Sequence, residues 1–195
     1  MTIISAPLRC ARNDNTQNTA RRTRRDPSAP LRMKRSATYA ECSALLFDGI
    51  DDYISTSSIF NPSLAPFSIY AWVKGGAPGQ VVISQTGSPW GSNLLGVTGS
   101  DGSLVTELKG TSRWDRPLVS GSIITDGDWH HIGLVRDGTN RALYVDDVEV
   151  IADTQGDLGS TYGGLNIGAS KNLDPGSFFS GLIDDVKIYN RAVKP

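Results

Sequence analysis

The chain has 195 residues and a net charge of −1, which is room for one ordinary domain with or without a tail. That balance conceals a split: residues 1–42 hold nine Lys/Arg against Asp14, Asp26 and Glu41, a net +6, which leaves −7 for the remainder. No run approaches the roughly 20 apolar residues that a membrane-spanning helix needs, so helical membrane insertion is excluded.

In chain order, the basic segment comes first. "RRTRRDPSAPLRMKRS" has no apolar periodicity and is rich in Arg, Ser, Thr and Pro, the composition of a stretch that cannot bury enough surface to offset ordering. Residues 1–42 therefore read as a disordered basic leader, or as sequence upstream of a true start at Met33. "MTIISAPL" is too short for the apolar core of a secretory signal. No aromatic residue is interleaved with the arginines before Tyr39, so nucleic acid is not the expected partner. Cys10 and Cys42 both fall in this segment. The acidic part thus has no disulfide of its own and depends on packing or a bound ion.

From about residue 43 the pattern changes to period two. "LLFDGIDDYI" opens it, with Asp48, Asp51 and Asp52 crowded around Gly49 between two strand-like pieces. In "FSIYAWVK", Phe67, Ile69, Ala71 and Val73 fall on one face, and Ser68, Tyr70, Trp72 and Lys74 on the other. "WHHIGLVRDG" and "RALYVDD" repeat the alternation with Ile132, Leu134, Leu143 and Val145. Turn signals such as "GGAPG", "SDGS", "TDGD" and "RDGTN" recur about every 8–12 residues. Asp101-Gly102 and Asp137-Gly138 have the chemistry of hairpin connections. Ten or more short antiparallel strands with no amphipathic helix predict an all-β fold, a jelly-roll sandwich of two antiparallel sheets over 43–195. Near the end, Ile183 and Val186 both suit a core but are three positions apart. A β-bulge at Asp184-Asp185 reconciles them.

Five strings, "LLFDGIDDYI", "FSIYAWVK", "DGDWHHIGLVRDGTNRALYVDDVEV", "LNIGAS" and "FFSGLIDDVKIYNRAV", occur in an order that resembles the LamG-like jelly-roll family of the concanavalin A-like lectin/glucanase superfamily. The resemblance runs from about Ala44 to Lys194. It implies an accessory module of a secreted or cell-surface protein, with a glycan or glycoprotein as partner. It also implies a structural Ca²⁺ away from the ligand face, held by Asp184 of the last strand with Asp48 and Gly49 of the opening strand beside it. The bland alternative is that these aspartates only build turns. One departure is that the family's "YVDG" turn reads "YVDD", so Asp147 stands where a glycine is usual. The adjacent His130 and His131 belong to the family pattern, point to opposite faces of a strand and read as structural.

The superfamily also contains glycoside hydrolases, whose paired carboxylates lie in a Glu-x-Asp-x-x-Glu type of string. Beyond Glu41 the only glutamates are Glu107 and Glu149, and neither has such neighbours. No catalytic residue is therefore expected. Sugar-binding surfaces combine an aromatic face with hydrogen-bonding side chains. The loop residues of those types are Trp90, Asn93, Arg113, Trp114, Arg116 and Tyr162. The reading is a non-catalytic carbohydrate- or glycoprotein-binding module with a structural calcium. The alternatives are a structural or adhesion spacer without its own ligand, and a hydrolase-related domain.

Overall fold

The computed structural model describes residues 2–5, 44–112 and 116–195. Among them are thirteen strands and no α-helix. One sheet has seven strands: β1 (Thr2–Ser5), β2 (Leu45–Asp48), β4 (Phe67–Gly75), β9 (Trp129–Asp137), β10 (Asn140–Val145), β11 (Val148–Thr154) and β13 (Ser180–Tyr189). Its order is β1-β13-β4-β9-β10-β11, with β2 also on β13. The other has six: β3 (Ile54–Ser55), β5 (Val81–Gln85), β6 (Ser92–Val97), β7 (Ser103–Glu107), β8 (Leu118–Ile123) and β12 (Leu165–Ile167), in the order β3-β12-β5-β6-β7-β8. All pairings are antiparallel. This is the expected jelly-roll sandwich. Thr2–Ser5 pair with β13; Met1 and residues 6–42, the rest of the basic leader, lie outside the described residues, as does Ser43.

The period-two alternation decides which faces meet. Phe67, Ile69, Ala71 and Val73 of β4, Ile132 and Leu134 of β9, and Leu143 and Val145 of β10 all enter one core cluster. They pack there with Val82, Ile83, Leu94, Leu95 and Leu104 of the opposite sheet. Their burial is the main force holding the two layers together.

Several register shifts interrupt the alternation, and three of them, all bulges, shape the core and the outer face of the six-stranded sheet. The expected one lies in β13: Asp184 pairs with Trp72 and Lys187 with Tyr70, so three steps on β13 answer two on β4. Asp185 takes the extra position at φ 47°, its carboxylate 2.6 Å from Lys187 Nζ. Ile183 and Val186 can then both reach the core. The other two lie between β5 and β6, and they cancel. Val81 faces Gly96, Ile83 faces Leu95, and Ser84 faces Asn93. Val82 and Leu94 are each the extra residue on their strand, and both are fully buried.

Glycine is required where β13 passes between its neighbours. A Cβ at Gly181 would sit 2.3 Å from the Lys74 carbonyl oxygen of β4, closer than any side chain tolerates. Gln80 ties the same region together: its Oε1 accepts from the Ala77 and Ser180 amides at 2.8 and 2.9 Å.

Candidate functional site

The cancelling bulges determine the outward face of the six-stranded sheet. In regular strands, Asn93 and Gly96, three apart, point to opposite sides. With Leu94 and Leu95 both turned into the core, Asn93 and Gly96 share the outer face. The register then aligns Val81, Gly96, Val105 and Val119 in one row across β5, β6, β7 and β8. Val81 and Val105 are covered yet stand apart from the core cluster. Gly96 leaves a gap between them. A Cβ there would meet Val81 Cγ2 and Val105 Cγ1 at 3.8 Å each, ordinary contact distances. The row thus has a notch at its centre.

A second row, Ser84, Asn93 and Glu107, crosses the same strands. Asn93 Nδ2 donates to Glu107 Oε2 at 2.9 Å, and Asn93 Oδ1 accepts from the Lys171 amide at 3.3 Å. Two loops wall the valine row and this polar row. One is the β12–β13 loop, whose Ser170, Asp174 and Ser177 are bonded among themselves. The other is the β6–β7 turn, where Asp101 Oδ1 accepts from Thr98 Oγ1 and from the Ser103 amide and hydroxyl at 3.1 and 2.8 Å. Those bonds, Thr98's first, draw the Asp101 carboxyl down to about 2. The enclosed groove has a volume of about 610 Å³. Its floor is apolar and its margins are carboxamides, carboxylates and hydroxyls.

Of the six loop residues singled out from sequence, Asn93 lines this groove. Trp90 lies with its indole directly over Gly159, where a Cβ would fall 2.1 Å from the ring. It is a packing residue against that backbone. Tyr162 projects into solvent, 74 % exposed, and does not line the groove. Arg116 is exposed, and its carbonyl accepts from Arg141 Nη2 at 2.8 Å, next to the groove-lining Pro117. Arg113 and Trp114 lie outside the described residues. Sequence reasoning missed Val81, Gly96, Val105, Glu107 and Asp174. The bulges that align the first four on one face have no signature in period-two patterning, and Asp174 comes to the wall only through the course of its loop.

The chain's two ends do meet, since β2 pairs with β13. Asp48, however, faces Ser180. Asp184 is four residues further on, about 13 Å along a strand, and accepts from the Asp185 amide at 2.8 Å. The register therefore does not bring Asp184 to Asp48. Instead, Asp48, Asp51 and Asp52 each place a carboxylate oxygen within 4.8 Å of the others, all exposed, forming an acidic cluster able to hold a metal. Asp48 Oδ1 also accepts from the Ile50 amide at 2.8 Å, an Asx turn. Gly49 sits at φ 80°, where a Cβ would fall 2.7 Å from that of Ser180. Its role is close approach to β13.

The histidines face different groups, as alternation requires. His130 bridges two carboxylates, with Nδ1 2.9 Å from Asp146 and Nε2 3.1 Å from Asp126. His131 stacks on Trp72 and Tyr70, with ring centroids at 4.8 and 5.4 Å, and its Nδ1 lies 2.5 Å from Asp147. Asp146 and Asp147 form the β10–β11 turn at φ 51° and 67°. Aspartate tolerates this left-handed backbone, and Asp147 in the usual glycine position supplies the partner of His131.

The laminin G family model described as the concanavalin A-like lectin/glucanases superfamily matches residues 48–195. The chain belongs to this superfamily. A search of curated proteins finds no match. Solved structures share the fold of this LamG-like domain. Domain 4 of AbnA, an extracellular arabinanase from Geobacillus stearothermophilus in complex with arabinotriose, is 21 % identical with a TM-score of 0.60, over 80 % of this chain and 75 % of that one. Mouse laminin alpha1 chain domains LG4-5 are 14 % identical with a TM-score of 0.60, over 78 % and 44 %. Trypanosoma rangeli sialidase in complex with 2,3-difluorosialic acid is 15 % identical with a TM-score of 0.56, over 77 % and 26 %. The LamG-like domain therefore spans three quarters of the first of these structures, less than half of the second and about a quarter of the third. Among the described residues, no helix is long and apolar enough to cross a membrane.

One prediction concerns the histidine clamp. Burial lowers the tendency of His130 to hold its proton, but hydrogen bonds to Asp146 and Asp126, reinforced by their charges, outweigh it and raise the pKa. A raised folded value means that the stabilisation is complete below the unfolded pKa, near 6.5. It is lost as pH rises through the folded pKa. NMR titration is expected to place His130 above 6.5 and to move it down in Asp146→Asn. A wild-type value at or below 6.5 contradicts the clamp.

Proposed function

We propose that this chain is a non-catalytic carbohydrate- or glycoprotein-binding module and that the outward groove of the six-stranded sheet is its ligand site. The observation that carries the reading is the pairing of surfaces inside that groove. An apolar row of valines notched at Gly96 lies beside a polar row led by Asn93 and Glu107. A sugar ring has the same two-sided character, with C–H faces for an apolar floor and hydroxyls for carboxamide and carboxylate partners. The arabinotriose complex of a structure with the same fold adds support. So does the description of that protein as extracellular, which favours an extracellular or cell-surface place for this one.

Binding without hydrolysis is the reading because of how the groove's carboxylates are arranged. Retaining hydrolysis uses two carboxyl groups about 5–5.5 Å apart on either side of one bond. Here Glu107 comes from β7 and Asp174 from the β12–β13 loop. Both are exposed, and each accepts from a neutral neighbour, Asn93 and Ser170. Affinity electrophoresis or calorimetry over a panel of soluble polysaccharides is expected to reveal a ligand whose affinity falls about tenfold in Asn93→Ala, the scale of one or two lost hydrogen bonds. Circular dichroism checks that the variant folds. Silence across the panel supports the ligand-free spacer instead, and release of reducing ends overturns the non-catalytic assignment.

The same proposal includes a structural Ca²⁺. Its support is the convergence of Asp48, Asp51 and Asp52, because calcium takes 6–8 oxygen ligands and favours carboxylates. Given the register, the ion is assigned to the Asp48–Asp52 turn, with Asp184 outside the set. Ca²⁺ at a hundredfold excess over its Kd should raise Tm by about 5–10 °C relative to chelator, an effect absent from Asp51→Asn/Asp52→Asn. Identical melting curves with and without calcium contradict the site.

A further inference from the structure

The charges around the groove say which glycans it takes. Glu107 and Asp174 are the only charged residues among those described as lining it. Both are acidic, and both are exposed. Lys171 stands close enough to Glu107 and Asp174 for both charges to act on it, but its ammonium is engaged beside the groove and does not line it. Lys171 donates its Nζ to the Gly91 carbonyl at 2.9 Å and lines a separate small cavity of about 160 Å³ beside Ser88 and Pro89. The remaining polar margin consists of Gln80, Asn93, Thr98 and serine hydroxyls, which donate and accept without net charge.

We infer that this groove selects uncharged, hydroxyl-rich glycan chains and rejects chains carrying carboxylate or sulfate groups. The inference rests on the reading of the groove as the glycan site and adds the chemical class of ligand. An anionic sugar unit seated on the valine row comes close to the carboxylates of Glu107 and Asp174, with no lysine or arginine of the described lining to neutralise it. Uncharged hydroxyls instead bond to those carboxylates as donors, a charge-assisted and therefore strong hydrogen bond. The floor adds no charge preference. It meets the C–H faces of a sugar ring with aliphatic side chains, and the methyl-sized notch at Gly96 lowers the floor between Val81 and Val105 so that a ring can rest across the row. No aromatic side chain lines the groove among the described residues, so affinity rests on this fit and on the polar margin.

Gly96 supplies a clean test. A side chain there meets only ordinary contacts at its Cβ, and no φ in the left-handed range is recorded for it. Gly96→Leu therefore fills the notch while the backbone stays as it is. The probes are soluble polysaccharides in pairs matched in backbone and differing in charge: hydroxyethylcellulose with carboxymethylcellulose, and arabinan, xylan and mixed-linkage β-glucan each alongside its carboxymethylated form. Binding is read by affinity electrophoresis at about 50 mM salt, where surface charge is weakly screened. At least one uncharged polymer should bind, with its carboxymethylated form at least tenfold weaker, and Glu107→Gln/Asp174→Asn should narrow that gap. Gly96→Leu should remove binding while Tm holds. Equal or tighter binding of the carboxymethylated form overturns the charge selection and leaves the groove as the glycan site. Binding untouched by Gly96→Leu, or no binding to any member of the panel, overturns the groove reading itself. If Gly96→Leu fails to fold, Gly96→Ala, whose Cβ meets nothing closer than 3.4 Å, replaces it and should weaken binding in the same direction.

Discussion

The register of the six-stranded sheet is the constraint on which the rest depends. Its inner face must bury Val82, Ile83, Leu94, Leu95 and Leu104 against the seven-stranded sheet, and the first four come as two adjacent pairs that no regular strand can turn to one side. The two bulges between β5 and β6 are the resolution. They cost two irregular steps in the ladder, and because they cancel, the pairing on either side of them stays aligned. Their by-product on the other face is the row Val81–Gly96–Val105–Val119 beside Asn93 and Glu107. The packing demand of the core and the geometry of the groove are two consequences of one register.

The opposite sheet shows a different use of polar residues. On its outer face, the stack of Trp72, His131 and Tyr70 is closed by the C-terminal segment, with Tyr70 Oη donating to the Val193 carbonyl at 2.5 Å and the Val193 amide donating to Ser68 Oγ at 2.7 Å. Gly133 has to be bare there, since a Cβ would fall 2.3 Å from the Tyr70 ring. Aromatic residues are thus committed to internal packing on this face, as Trp90 is over Gly159. The groove is left with aliphatic and hydrogen-bonding groups. This division separates a face that holds the chain together from one whose polar groups stay accessible.

Much of the fold was legible in the residues. Period-two alternation in β4, β9 and β10 located the core, and the turn residues marked the hairpins. The conflict between Ile183 and Val186 marked the bulge in β13. The site was less legible, for reasons that are physical. Asn93, singled out for its chemistry, lines the groove, but Glu107 reads as an isolated acid, and Val105 and Gly96 read as ordinary strand residues. Only the paired bulges make neighbours of them, and Val82-Ile83 and Leu94-Leu95 carry no local signal for where the extra residue goes. The aspartates show the same limit. That the first and last strands pair follows from the family pattern, but the four-residue offset between Asp48's partner and Asp184 is a matter of register that residue types leave open. Trp90 and Tyr162 illustrate the converse: chemistry suited to a sugar, one placed over backbone and the other outside the groove.

The central claim is that ligand seats on the valine row at the Gly96 notch. The most direct measurement is a backbone amide NMR titration with whichever uncharged oligosaccharide binds. The account predicts that the largest shifts fall on Val81, Asn93, Gly96, Val105 and Glu107, with those of β4 and β9 unmoved. Shifts centred on the Asp48–Asp52 turn, or on the stacked face of Trp72 and His131, would contradict it.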